Sequence, residues 1–233
     1  MLIRVGDQRT ERIDVTLAGI LSFIAGALNA VGFLIAGSFT ANMTGNVSAF
    51  ADELAEGAIR TALSFGGLIV AFIFGAALAA GAIQYGERRK LRSIYAVAIL
   101  VEGVILLGIG AALLRWSSTG DGPLMLALSF VMGLQNAATT LISQSRVRTT
   151  HVSGMATDIG IELVALAGTD EVRSQAVPKL RLHSVTLASF AVGGLVGALL
   201  FGIIGFWLFI AAAISLFALA APQALGARQP DDL

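Results

Sequence analysis

SFIAGALNA at residues 22–30 returns as SFVMGLQNA at residues 129–137, so that Ser, Phe, Gly, Asn and Ala recur at an offset of 107. Downstream, FTANMTGNV at 39–47 is echoed by RTTHVSGMA at 148–156, where Thr40, Thr44 and Gly45 pair with Thr149, Ser153 and Gly154 at an offset of 109. A two-residue insertion separates the blocks. In each copy an apolar helical run stops at a polar, glycine-centred interruption and then resumes. Paired interruptions in two related halves of a hydrophobic chain point to a solute site at the centre of a membrane protein.

Composition identifies the solvent. Hydrophobic residues make up 56% of the 233, charged residues only 13%, there are 27 glycines, and mean hydropathy is +0.84. This is the profile of a polytopic membrane protein. Net charge is zero, which gives no electrostatic footprint for nucleic acid. The chain has no cysteine, which removes disulfides, thiolate chemistry and Cys-based metal sites. Residues 1–14 carry six charges and the following apolar run lacks a small-residue cleavage site, so that run reads as a true span and not as a removed leader.

A helix needs about 20 apolar residues to cross the hydrocarbon core. Six spans are predicted, at 15–37, 59–84, 92–114, 123–143, 183–201 and 204–221, with a tight turn at Gly202–Gly205 between the last two. Residues 1–14 and 222–233 read as tails of a single transmembrane domain. With the amino terminus inside, thirteen of the fifteen Lys and Arg fall on the inner side, leaving Arg60 and Arg115 outside. That bias predicts cytoplasmic termini. Three spans per repeat, 15–114 and 123–221, make the second half enter from the opposite side. The fold class is therefore an all-α polytopic membrane protein of six helices in two inverted three-helix repeats, each with a glycine-centred break or re-entrant segment after its first helix.

The run GFLIAGSFTANMTGN at 32–46, together with MGLQNAATTLISQSRVRTTHVSGMATDIG at 132–160, resembles the YoaK-like family of bacterial integral membrane proteins, a domain of unknown function. The resemblance covers essentially the whole chain. It implies a six-span protein of the bacterial inner membrane, and no particular reaction or substrate.

Non-helical chain at membrane depth survives only where protein or a water-lined cavity supplies hydrogen-bond partners. Gly45 and Gly154 suit such a break. Thr40, Asn42, Thr44 and Asn46 on one side, with Arg148, Thr149, Thr150, His151 and Ser153 on the other, offer donors and acceptors. Each break is followed by a new helix N-terminus, which favours an anion or a polar solute. The alternative is a plain extramembrane loop whose Asn, Thr and Ser cap the next helix. Asn29 and Asn136, the repeated amides of spans 1 and 4, bond across helices or line the path. Glu102, in the middle of span 3, is either a proton-coupling group or a protonated acid bonded to a neighbouring helix. Glu53 and Glu162 align at the offset of 109 and are explained equally well by helix-dipole compensation. Arg146 and Arg148 either clamp an anion or follow the topology rule, and His183 is too isolated in sequence to form a site with His151.

Small residues recur every four positions on span 2 (Gly67, Ala71, Gly75, Ala79) and on span 5 (Ser189, Gly193, Gly197), fitting either packing within one chain or a homodimer. The phosphate-loop, zinc-helix and nucleophile-elbow motifs are missing, so neither an enzyme nor a metal or cofactor is expected. The sequence points to transport of a small polar or anionic solute among membrane lipids, with proton coupling at Glu102. Its rivals are a passive channel, and a scaffold or sensor that binds lipid or a partner helix.

Overall fold

A computed structural model describes residues 1–115 and 121–226, and among these residues it contains eight α-helices and no strand. Six are long and apolar enough to cross a membrane: α1 (Glu11–Ala36), α3 (Ile59–Arg88), α4 (Ile94–Arg115), α5 (Asp121–Ile142), α7 (Asp170–Ile204) and α8 (Trp207–Gly226). Two shorter helices, α2 (Met43–Ala55) and α6 (Val152–Ala165), follow the two breaks and lie against α3 and α7. They carry too many polar residues to register as spans in the sequence, and at 13 and 14 residues they reach only about 20 Å, less than the hydrocarbon thickness.

α1 and α5 form the centre. In each, 61% of the apolar stretch is buried, against 22% in α3 and 11% in α7. The outer helices turn Val70, Ile73, Phe74 and Leu78 of α3, and Leu195, Leu199 and Ile203 of α7, to the surroundings. In lipid such side chains need no cover, and what must be explained is how the helices adhere at all. Four glycines answer this. A Cβ on Gly26 of α1 would run into the carbonyl oxygen of Phe190 on α7, and one on Gly193 of α7 would strike that of Phe23 on α1. The second crossing is built the same way: Gly133 of α5 faces the carbonyl of Phe72 on α3, and Gly75 of α3 faces that of Phe130 on α5. Phe23 and Phe130, like Gly26 and Gly133, are the repeated residues of the opening motif. The glycines of the small-residue faces of α3 and α7 are thus met by α5 and α1 within the chain, with Gly197 also against Ala27.

Several boundaries differ from the sequence expectation. α7 starts at Asp170 and not at 183, because Thr169 caps it by accepting from Val172 N–H and Asp170 and Glu171 sit in its first turn. Pro178 lies inside this exposed extension. The turn between α7 and α8 is made at Gly205, whose φ of 54° with ψ of −133° suits glycine. α8 runs to Gly226, so residues 222–226 are helix and not tail; 227–233, with Arg228, lie outside the described residues.

The first nine residues are also no free tail. Leu2 is buried, and its N–H donates to Gln223 Oε1 of α8. Arg9 pairs with Asp14 of α1 and donates to the carbonyls of Met1 and Arg4, while Arg146, in the loop after α5, donates to the other Asp14 oxygen at 2.9 Å and to the Gly6 carbonyl at 3.1 Å. One carboxylate therefore ties together the amino-terminal segment, α1 and the loop of the second break.

Two outcomes follow for thermal unfolding in detergent. Gly133→Ala drives a methyl into backbone and is expected to cost about 1–3 kcal/mol, whereas Gly81→Ala, whose Cβ meets nothing within 4 Å, is neutral or slightly stabilising. Asp14→Asn leaves the buried Arg9 guanidinium without its counter-charge and is expected to cost about 3 kcal/mol; an unchanged melting temperature would show that the carboxylate is not the tie.

Candidate functional site

The first break begins where α1 ends. Gly37 takes the left-handed conformation at φ 67° and its N–H caps the Phe33 carbonyl, which turns the chain back on itself. Asn29 Oδ1 then accepts from Ala41 N–H at 2.9 Å. Asn29 lies seven residues before the end of α1, so the chain has returned about 10 Å along its own helix by Ala41. Asn46 braces the return by donating to the Phe39 carbonyl at 3.1 Å, and Phe39 stacks on Phe33 with centroids 4.5 Å apart.

The second break repeats this course with different chemistry. Gln144 and Ser145 occupy the left-handed region at φ 51° and 66°, where non-glycine residues are uncommon. The Ser143 hydroxyl accepts from Val147 N–H at 2.8 Å, and Thr149 Oγ1 donates to Gln135 Oε1 at 3.1 Å. Gln135 also lies seven residues before the end of its helix, so Thr149 stands about as deep beside α5 as Ala41 does beside α1.

Gly45 and Gly154 do not make the turns. Each is the third residue of its helix and is absent from the positive-φ residues. Their use is clearance, since a Cβ on Gly45 would meet the Asn42 carboxamide and one on Gly154 the His151 ring. Asn42 folds over the first turn of α2 and accepts from Gly45 N–H at 3.1 Å. His151, its counterpart, makes no such bond, so α6 begins without a side-chain cap.

The two breaks border one cavity of about 330 Å³, lined by Ala41, Asn42, Met43 and Thr44 from the first and by Arg148, Thr150, His151 and Ser153 from the second. Phe72, Asn136 and Thr140 complete it. The first turns of both α2 and α6 open onto this space, bringing the positive ends of two helix dipoles and, at α6, a turn without a side-chain cap. Arg148 is exposed, and among the described lining residues it is the one formally charged side chain; no carboxylate stands with it. Asn136 Oδ1 is buried without a hydrogen-bond partner. The wall is therefore rich in donors, carries positive charge and has one unused acceptor.

Other expected residues lie behind the wall. Asn29, Asn46 and Thr149 hold the breaks in shape through the bonds above, and Thr40 is fully buried with its methyl facing Gly32 and its hydroxyl without a partner. Glu102 is fully buried in α4, where its Oε1 accepts from Gln135 Nε2 at 2.9 Å and its Oε2 has no partner. Gln135 thus bonds both Glu102 and Thr149. Sequence reasoning passes over it because it replaces Leu28 of the first half and its partners are 33 and 14 residues away. Arg146 faces Asp14 and not the cavity. His183 meets the buried Glu162 across α6 and α7, at 3.0 Å from Nδ1 to Oε1, a pairing of distant residues that no local signal announces.

The family model described as "Protein of unknown function (DUF1275)" matches residues 17–221, and the chain belongs to that family. The match takes in both halves and both breaks. No curated protein and no solved structure matches the chain.

If Asn29 sets the depth of the first break, Asn29→Ala leaves Ala41 N–H buried without its acceptor, at a cost of about 1–3 kcal/mol. Melting of the purified variant reads this directly, and an unaltered transition would mean that the break is held by other contacts.

Proposed function

We propose that this member of the DUF1275 family is a carrier of the bacterial inner membrane that moves a small anion between the two breaks, with proton coupling at Glu102 and both termini in the cytoplasm. The observation that carries the reading is the shared cavity: two helix N-termini and Arg148 converge on about 330 Å³ without a carboxylate. Helix N-termini stabilise negative charge, and a guanidinium supplies charge with directed donors. Asn136 Oδ1 supplies the acceptor for a hydroxyl or amine on the same solute. The missing cap on α6 leaves its first N–H groups for a ligand and not for a side chain.

The paired glycine notches and the equal depth of the two returns support a chain of two inverted repeats. In such folds the site lies at the repeat interface near the midplane, and access alternates as one unit rocks against the other. The YoaK-like resemblance is consistent with this family, and the bacterial inner-membrane setting is what that resemblance implies. The crowding of Lys and Arg at one end supports cytoplasmic termini. A second reading, a lipid-binding scaffold, draws on a groove of about 630 Å³ between α1, α7 and α8, lined almost wholly by apolar residues.

The test uses purified protein with chloride, phosphate, acetate and lactate. A ligand bound only by the folded state at 100 times its Kd adds about 2.7 kcal/mol and raises the melting temperature. At least one anion is expected to do so, and Arg148→Gln to abolish the effect. Because the chain has no cysteine, Thr44→Cys and Ser153→Cys give single reporters, and the same anion is expected to protect both from a water-soluble maleimide. Stabilisation by none of the four, or protection at one break only, rejects the shared anion site. Copurified lipid at fixed stoichiometry would favour the scaffold.

A further inference from the structure

Gln135 is the point at which the buried acid and the second break touch the same side chain, and this geometry has no counterpart in the first half. Its Nε2 donates to Glu102 Oε1 at 2.9 Å and its Oε1 accepts from Thr149 Oγ1 at 3.1 Å. All three side chains are fully buried. At the offset of 107 the first half has Leu28 in place of Gln135, and Thr40, the partner of Thr149 in the repeat, has a buried hydroxyl with no bond.

We propose that Gln135 is a positioning residue that relays the protonation state of Glu102 to Thr149, so that one break responds to a proton and the other does not. The inference rests on the carrier reading for its purpose, while its mechanism rests on the three side chains alone. The arrangement described, in which Glu102 Oε1 accepts, Thr149 donates and Glu102 Oε2 has no partner, is open to a carboxylate at Glu102 as much as to an acid protonated at Oε2. When a proton from water adds to that carboxylate, the acid gains an O–H of its own to donate. Gln135 Oε1 becomes its acceptor when the amide turns over, and Nε2 then points at Thr149. Thr149 must change from donor to acceptor and turn its hydrogen to a new acceptor, and its neighbours Arg148 and Thr150 both line the cavity. Loss of the proton to water reverses each step, and only the O–H bond of the acid is made or broken.

The elements around Glu102 leave it as the group that titrates. α8 carries no charged residue, α5 has only Asp121 at its start, and α3 has Arg60, Tyr85, Glu87 and Arg88 near its ends. On α4 itself Tyr95 lies two turns earlier and donates to Glu87 Oε1 at 2.6 Å, and Arg115 closes the helix. Arg148 and His151 face the cavity and not the acid. The sign follows from charge. An anion in the cavity is repelled by a carboxylate at Glu102 and not by the acid, so proton and anion favour each other's binding, by the same factor in both directions.

Infrared difference spectra, recorded on the full-length protein in lipid as pH is stepped, read the carboxyl group of Glu102 directly. The wild type is expected to gain a protonated-carboxyl C=O band on acidification that Glu102→Gln lacks. Gln135→Leu, which copies the first half, is expected to move the band to higher frequency by removing its hydrogen bond. Thr149→Val touches Gln135 and not Glu102, so a shift of the band there, reversed by Thr149→Ser, is the signature of the relay. A Thr149→Val band identical to that of the wild type, or no band that Glu102→Gln removes, overturns it. Band coupling with no stabilising anion leaves the relay standing and rejects the carrier; a stabilising anion with no coupling does the reverse.

Discussion

Backbone contact between helices is the constraint from which the rest of this structure follows. Lipid offers apolar helices no reason to leave it, so association depends on close packing and on whatever hydrogen bonds the approach permits. At the two main crossings the approach is as close as backbone allows, because a glycine on each helix receives a carbonyl from the other. The two crossings bring α1 and α5, the most enclosed spans, to the middle. With those two helices fixed, the chain after each has a wall to return along, and the cavity is the space left between the two returns. Polar bonds at Asn29 and Gln135 then set how deep each return goes.

Much of this was legible in the residues. Hydropathy alone locates six spans, and the repeated SF…G…NA motif marks both a packing notch and the amide beside the break. The polar residues expected to meet in space do so in part: Asn42, Thr44, Arg148, Thr150, His151 and Ser153 share one cavity, and Asn136 reaches it. Other features were illegible for physical reasons. Gly45 and Gly154 look like breakers because glycine carries the same letter whether it supplies a left-handed turn or only room for a capping side chain. The turns are made by Gly37 in one half and by Gln144 and Ser145 in the other, and the latter two do not advertise positive φ. The contact of Asp14 with Arg146, or of Glu162 with His183, requires elements distant in sequence to be brought together first.

The differences between the halves matter as much as their likeness. Asn42 caps its helix and His151 does not; Leu28 is silent where Gln135 bonds twice; the loop after α5 is tied by Arg146 to Asp14, whereas the chain after α1 is held through Asn29 and Asn46. A symmetric frame provides two comparable approaches to one site. Departures from symmetry make one break differ from the other in charge and in hydrogen bonding, a difference that the proposed carrier would use.

The way the halves are interleaved also bears on how the chain is made. α1 packs chiefly on α7, and α3 on α5, so each early helix finds its main partner in the second half. As the polypeptide leaves the ribosome, α1 and α3 enter the bilayer before those partners exist, with Gly26 and Gly75 unfilled and Asn29 and Asp14 exposed to lipid, headgroups or the insertion machinery. Neither half can close its own crossing. Synthesis therefore passes through a long interval in which the first four helices are inserted without their main partners, and the fold is completed only when α7 and then α8, the chief partner of α4, arrive.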